Sequence, residues 1–224
     1  MVGDSARPHG PIERKAPRER VQLDATSWVD VVRGFAREAD QTLERLVRSV
    51  AWQENWVIRG GRRVVDPRLG GSLSRAEAEA DPTFRFTRLV LEARYRVRLM
   101  GPQLVYYRDG RDGMGLHRDD EMRWLDETVI AGLAFGATRP FVLRATRTGE
   151  SRELSIAGGD LYVMGGRCQA DWMHGVPKQD VCGPKISAVW RWTSRRGRPV
   201  EMRRDGPASQ RGRPGPGPGP GRMR

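Results

Sequence analysis

The sequence predicts an α+β fold, a jelly roll or barrel of short strands with N-terminal helices packed on one sheet. From Gln103 onward, short apolar runs recur between turn residues such as Arg108-Asp109-Gly110, Gly136-Ala137-Thr138, Gly158-Gly159 and Gly165-Gly166. Ahead of them lie two stretches whose apolar residues are spaced three and four apart, the period of an amphipathic helix. Strands and helices do not alternate along the chain, which argues against a doubly wound parallel sheet.

The elements follow in order. Residues 1–23 are crowded with Arg, Pro, Gly and Glu and carry no apolar period, so a disordered basic tail is expected there. The compact domain is expected over 24–197. Residues 27–50 place Trp28, Val31, Val32, Phe35, Leu43, Leu46, Val47 and Val50 at helical spacing, with Thr26 or Ser27 as N-cap. Residues 52–71 read as a hairpin and then an irregular loop at Asp66-Pro67-Arg68-Leu69. A second helix is expected over 85–100, stopped by Gly101-Pro102. Strands are expected over 104–107, 129–135, 141–144, 153–156, 160–164, 173–176 and 185–192. Residues 198–224 end in a Pro-Gly repeat, and a second disordered tail is expected there.

Composition narrows the function classes. No apolar run reaches membrane-spanning length and no signal-peptide core is present, so a cytoplasmic protein without a membrane partner is expected. Cys168 and Cys182 form no CxxC pair, and two reduced thiols are the expectation. The formal net charge is +12, which attracts polyanions and makes nucleic acid the leading partner class. The basic residues are arginines except for Lys15, Lys178 and Lys185. Genomic codon bias explains that choice of base more readily than the excess over acids. A monomer is expected.

The chemistry lies in the histidines. His9 sits in the first tail, leaving His117 and His174 in the domain, with Asp119 two residues after His117 and Arg191 downstream of His174. Residues i and i+2 of a strand share a face, so His117 and Asp119 can converge on one ion, and His174 from a later strand can complete the set. Two imidazoles and one carboxylate on one face of an octahedron form the ligand set of a non-haem Fe(II) oxygenase. Zinc hydrolases also combine His and carboxylate.

The surrounding motifs are more specific. They run from Tyr106-Tyr107-Arg108-Asp109-Gly110 through Leu116-His117-Arg118-Asp119-Asp120-Glu121, Phe135-Gly136-Ala137-Thr138-Arg139-Pro140-Phe141 and Asp171-Trp172-Met173-His174-Gly175-Val176-Pro177-Lys178 to Pro184-Lys185-Ile186-Ser187. This series resembles the AlkB family of Fe(II)/2-oxoglutarate dioxygenases over most of 55–192, most nearly the branch that includes the second human homologue. The resemblance implies a double-stranded β-helix core, Fe(II) as metal, and 2-oxoglutarate and O₂ as cosubstrates. The implied reaction is oxidative demethylation of N1-methyladenine and N3-methylcytosine in DNA or RNA, read from a flipped base. The methyl carbon is hydroxylated, and formaldehyde and succinate are released.

Matched position by position, the resemblance makes His117, Asp119 and His174 the catalytic iron ligands. It assigns 2-oxoglutarate to Tyr107, Lys185 and Arg191, and the substrate to Arg68, Asp120 and Glu121. The chain departs from the family at Lys185, where relatives carry the first arginine of an RxxxxxR motif, at Val105, where they carry asparagine, and at Leu73, where they carry a lid tyrosine. A lysine offers a point charge in place of a bidentate fork, so weaker 2-oxoglutarate binding is expected. The alternatives are the same chemistry on a small molecule or peptide, or a non-catalytic nucleic-acid-binding module.

Overall fold

A computed structural model of the chain describes residues 10–59, 62–119, 122 and 124–195. The chain opens with a hairpin of β1 (Arg18–Gln22) and β2 (Ser27–Val32), followed by α1 (Ala39–Ser49). A second pair, β3 (Gln53–Arg59) and β4 (Arg62–Ser72), leads into α2 (Arg75–Ala80) and α3 (Pro82–Tyr95). Then come β5 (Met100–Tyr107), β6 (Met114–His117), β7 (Thr128–Gly136), β8 (Arg139–Ala145), β9 (Ser151–Ile156) and β10 (Leu161–Gly166). A single turn, α4 (Cys168–Asp171), precedes β11 (Trp172–Val176) and β12 (Lys185–Thr193).

The strands form two antiparallel sheets, one ordered β1-β2-β10-β7-β12-β5-β4-β3 and the other β6-β11-β8-β9. This is the jelly-roll core that the spacing of the apolar runs predicts, with helices on one face of the larger sheet. The central strand β7 shows how it is built. Val129, Ala131, Leu133 and Phe135 pack with Leu43 and Leu46 of α1 and Phe84 and Leu91 of α3. Ile130 and Ala134 turn to the other face and meet Phe141, Leu143 and Trp172 of the smaller sheet. A strand covered on both faces reads as a continuous apolar run, because alternation marks only a half-buried strand.

Several expectations are corrected. The 27–50 stretch is not one helix: its first part is β2, and α1 begins at Ala39. Val29, Val31 and Val32 are β-branched, which favours the pleated form, and Gly34 (φ 57) and Glu38 (φ 53) break the chain between the two elements. Thr26 and Ser27 cap no helix: Asp24 accepts from both of their backbone N–H groups at 2.8 Å in the turn before β2, and Glu38, which precedes α1, makes no side-chain cap. Residues 10–23, placed in a disordered tail by composition, are part of the fold. β1 is paired along its length with β2, and Arg18 and Arg20 both bind the fully buried carboxylate of Asp30. Backbone ladder and ion pairs hold this strand, so apolar patterning does not reveal it. Residues 1–9 and 198–224 lie outside the described residues.

The Asp66-Pro67-Arg68-Leu69 segment continues β4 and is no loop. The second helix starts earlier than its apolar spacing implies, since Asp81 caps it and Pro82 takes its first position. It ends at Arg96, in left-handed geometry, and Gly101-Pro102 sits inside β5.

Phe135 is fully buried and meets Phe84 edge-on at 6.2 Å between ring centroids. We expect Phe135→Ala to cost about 3–5 kcal/mol of stability, measured as a lower urea midpoint with an unchanged m-value.

Candidate metal centre

The smaller sheet brings the two histidines together. β6 ends on His117, whose registered partner in β11 is His174, and the ring centroids lie 4.4 Å apart. Asp119 follows two residues after the strand end. Its Oδ1 lies 3.5 Å from His117 Nε2 and 3.7 Å from His174 Nε2. The three candidate ligand atoms all fall within 4.8 Å of one another. The i, i+2 convergence expected from the sequence is therefore realised.

The electrostatics suit a cation at that point. Burial alone would raise the Asp119 carboxyl, but His117, Arg191 and His174 around it outweigh burial and hold it well below the usual carboxylate range. Burial pushes the His174 imidazole down to about 3, with neighbouring His117 adding to the shift, so at neutral pH it is uncharged and offers a lone pair. His117 Nδ1 lies 2.9 Å from the Gly115 carbonyl; a proton there leaves Nε2 free to ligate, the usual arrangement behind a metal-bound histidine. Two imidazole nitrogens and one ionised oxygen, all bordering one cavity, fit a divalent metal.

Two further groups fix this set. Arg191 donates from Nε to Asp119 Oδ2 at 2.5 Å and from Nη1 to Gln103 Oε1 at 2.6 Å. Fully buried Gln169 accepts from the Asp119 backbone N–H at 3.0 Å, and its amide nitrogen lies 3.4 Å from His174 Nδ1. The triad opens into a cavity of about 710 Å³ whose wall includes Tyr107, Tyr162, Ser187, Val105 and Arg68. Burial raises both tyrosines, Tyr162 to about 12, so both keep their protons and act as donors. Gly132 makes room for one of them: a Cβ there would lie 2.2 Å from the Tyr162 ring.

The expected site residues divide. His117, Asp119, His174, Tyr107, Arg68 and Arg191 border the same cavity. Arg68 is held on its wall by Asp66, which is 4% exposed and accepts from Nε at 2.8 Å. Lys185 has the strand parity of Arg191 but lies apart from the cavity wall. Its Nζ donates to the Ile156 carbonyl at 3.0 Å and reaches the Ala137 carbonyl at 3.5 Å. It is the first residue of β12, so parity does not dictate the path of its long arm. Leu73 packs against the helix-side core and does not border this cavity. Asp120 and Glu121 lie outside the described residues.

Sequence reasoning missed Gln169, Tyr162, Ser187, Gln103 and the amides Gln53 and Asn55 on β3, of which all but Gln169 border the cavity. Strand parity offered a signal for some of them: Ser187 shares the parity of Arg191, and Gln53 that of Asn55.

Comparison with known proteins agrees with this geometry. Residues 98–196 match the 2OG-Fe(II) oxygenase superfamily. Alpha-ketoglutarate-dependent dioxygenase alkB homolog 3 of Homo sapiens is 30% identical over 201 residues, covering 75% of this chain and 70% of its own length.

The chain belongs to the AlkB family.

The Rattus norvegicus homolog 3 is 32% identical over 163 residues, 64% of this chain. The match spans only 55% of that relative's length. DNA oxidative demethylase ALKBH2 of Mus musculus is 34% identical over 94 residues, 38% of this chain and 39% of its own. The homolog 3 matches thus extend over more of the chain than the ALKBH2 match. Among solved structures, a 2OG-Fe(II) oxygenase family oxidoreductase from Burkholderia pseudomallei superposes with a TM-score of 0.53 at 12% identity. That superposition covers 77% of this chain and 87% of the other, and bears on the fold alone.

Gln169 supports two of the three ligands from behind, so Gln169→Ala is expected to weaken metal binding about 10–100-fold. Titration with Co(II), followed by its visible absorption, reads this directly. Lys185 supports a second expectation. Burial pushes its ammonium down to about 8, and neighbouring Arg139 adds to the shift. Between that value and the ordinary 10.5 the unfolded chain binds more protons than the folded one. Stability therefore rises with pH through this window. Chemical denaturation at pH values across it is expected to show a rise that Lys185→Met lacks.

Proposed function

We propose that this chain is an Fe(II)/2-oxoglutarate-dependent dioxygenase that oxidatively demethylates alkylated bases in DNA or RNA, with N1-methyladenine and N3-methylcytosine as its substrates. The observation that carries the reading is the convergence of His117, Asp119 and His174 on one point of the cavity wall, with Arg191 fixed on Asp119. His117, Asp119 and His174 would hold the iron on one face, leaving the cavity side for cosubstrate and O₂. When bound, iron and 2-oxoglutarate supply the oxidation of the methyl carbon by O₂.

The chain's own residues do the rest. Arg191 keeps Asp119 ionised and correctly turned, while Gln103 keeps Arg191 from rotating away. The protonated hydroxyls of Tyr107 and Tyr162 offer donors to a carboxylate seated deep in the cavity, and Ser187 stands beside Tyr162. With Lys185 bound to carbonyls and Val105 offering no polar group, cosubstrate recognition leans on hydroxyls and Arg191, which supports weak 2-oxoglutarate binding. Arg68, immobilised by Asp66, presents donors only, and therefore meets an acceptor on the substrate. The net charge of +12 brings a polyanionic substrate to the mouth.

A second reading keeps the chemistry and takes a small molecule or peptide as substrate. It is favoured by Leu73, which leaves the cavity without the lid aromatic of relatives.

We expect the protein loaded with Fe(II) under anaerobic conditions to convert 2-oxoglutarate to succinate on admission of air, and His174→Ala to abolish this while circular dichroism stays unchanged. Formaldehyde release across a panel of methylated oligonucleotides and small N-methyl compounds separates the two substrate readings. Absence of succinate from the unaltered protein overturns both.

A further inference from the structure

A second cavity, of about 490 Å³, lies between α2, α3 and the ends of β4, β5 and β12. It shares Ser72 and Gln103, a registered pair of the β4–β5 ladder, with the metal cavity. The two cavities are thus separated by little more than that pair. Successive residues of β12 serve one each: Arg191 borders the metal cavity and Trp190 the second.

Its lining has three parts. The interior is apolar, with Phe84 and Trp190 in ring contact at 6.1 Å between centroids. Met100 stands at the rim, 61% exposed. The charges do not balance. Glu79 and Glu92 are both taken by Arg88, at 2.6 and 2.8 Å, and Glu92 also accepts from the Leu99 backbone N–H at 3.0 Å. Arg75 and Arg98 border the same space and have no ion-pair partner among the described residues. Finally, the indole N–H of Trp190 is fully buried and has no acceptor among the described residues. A buried donor left unpaired is costly, and here it belongs to a residue that borders an open space.

We propose that this cavity is a second ligand site, separate from the metal centre, for a small organic anion. The apolar body of the ligand lies against Met100 and Leu99, above the buried Phe84–Trp190 pair. Its carboxylate, sulfonate or phosphate pairs with Arg75 and Arg98, whose guanidinium groups suit planar or tetrahedral oxyanions. Cations at the mouth above an apolar floor are the make-up of a site for an amphiphilic anion. This site does not depend on the substrate reading, since it uses none of the residues assigned to iron or to the methylated base.

The test uses the full chain and anilinonaphthalene sulfonate, an amphiphilic anion whose fluorescence rises in apolar surroundings. We expect saturable binding at one site per chain, unaffected by Co(II) with 2-oxoglutarate. The double variant Arg75→Glu/Arg98→Glu should bind it at least about tenfold more weakly, the loss of a charge-assisted contact. Both positions are exposed, so the variant should retain its thermal melt. The variant Met100→Arg, which places a charge at the apolar rim, should raise the dissociation constant of the neutral analogue N-phenylnaphthylamine. Equal affinity in the double variant, displacement by 2-oxoglutarate, or binding of the neutral analogue as tightly as the sulfonate would each overturn the proposal.

Discussion

Taking the carboxylate of Asp119 out of water is costly unless donors and cations surround it, and much of the molecule is arranged to supply them. Arg191 comes from β12 in the middle of the larger sheet, His117 and His174 from adjacent strands of the smaller one, and Gln169 from the single turn between β10 and β11. One side chain thus ties both sheets to the point where a metal would bind. Loss of Arg191 would leave a buried carboxylate without its guanidinium partner, so the position is constrained by folding and by chemistry together. The departures from the family pattern lie elsewhere, at Val105, Leu73 and Lys185, and the buried ammonium of Lys185 is met by backbone carbonyls and not by a carboxylate.

The legible parts of the fold are those governed by burial. Strands β5 and β7 to β12 show as apolar runs between turns because both or one of their faces are covered, and α3 shows through its period of three and four. The parts that escaped are held by other forces. β1 is an edge strand fixed by ladder hydrogen bonds and by Arg18 and Arg20 on Asp30, none of which leaves an apolar pattern. β2 was mistaken for helix because Trp28, Val31, Val32 and Phe35 happen to fall at helical spacing, while the β-branched run Val29-Asp30-Val31-Val32 was the better guide.

Legibility of the site follows the same division. His117, Asp119 and His174 stood out because histidine is scarce in this chain and the i, i+2 geometry of a strand is rigid. Arg191, Tyr107 and Arg68 came with the motifs around them. The path of a long flexible arm is not written in strand parity, as Lys185 shows by turning to the carbonyls of Ile156 and Ala137. Gln169 and Tyr162 carry no pattern of their own; each is placed by neighbours distant in sequence, such as Asp119 and Gly132.

The two margins of the eight-stranded sheet have a bearing on how the protein behaves at high concentration. A sheet margin offers unpaired backbone groups to any passing strand. Here β1 caps one margin with Arg18, Glu19 and Arg20, and at the other the guanidinium of Arg63 lies 4.7 Å from the Trp56 ring centre, over an aromatic that is otherwise half exposed. A second molecule approaching either margin meets charge that must be stripped of water before a ladder can form. The arginine excess that first suggested attraction to polyanions therefore also keeps copies of this chain from templating one another.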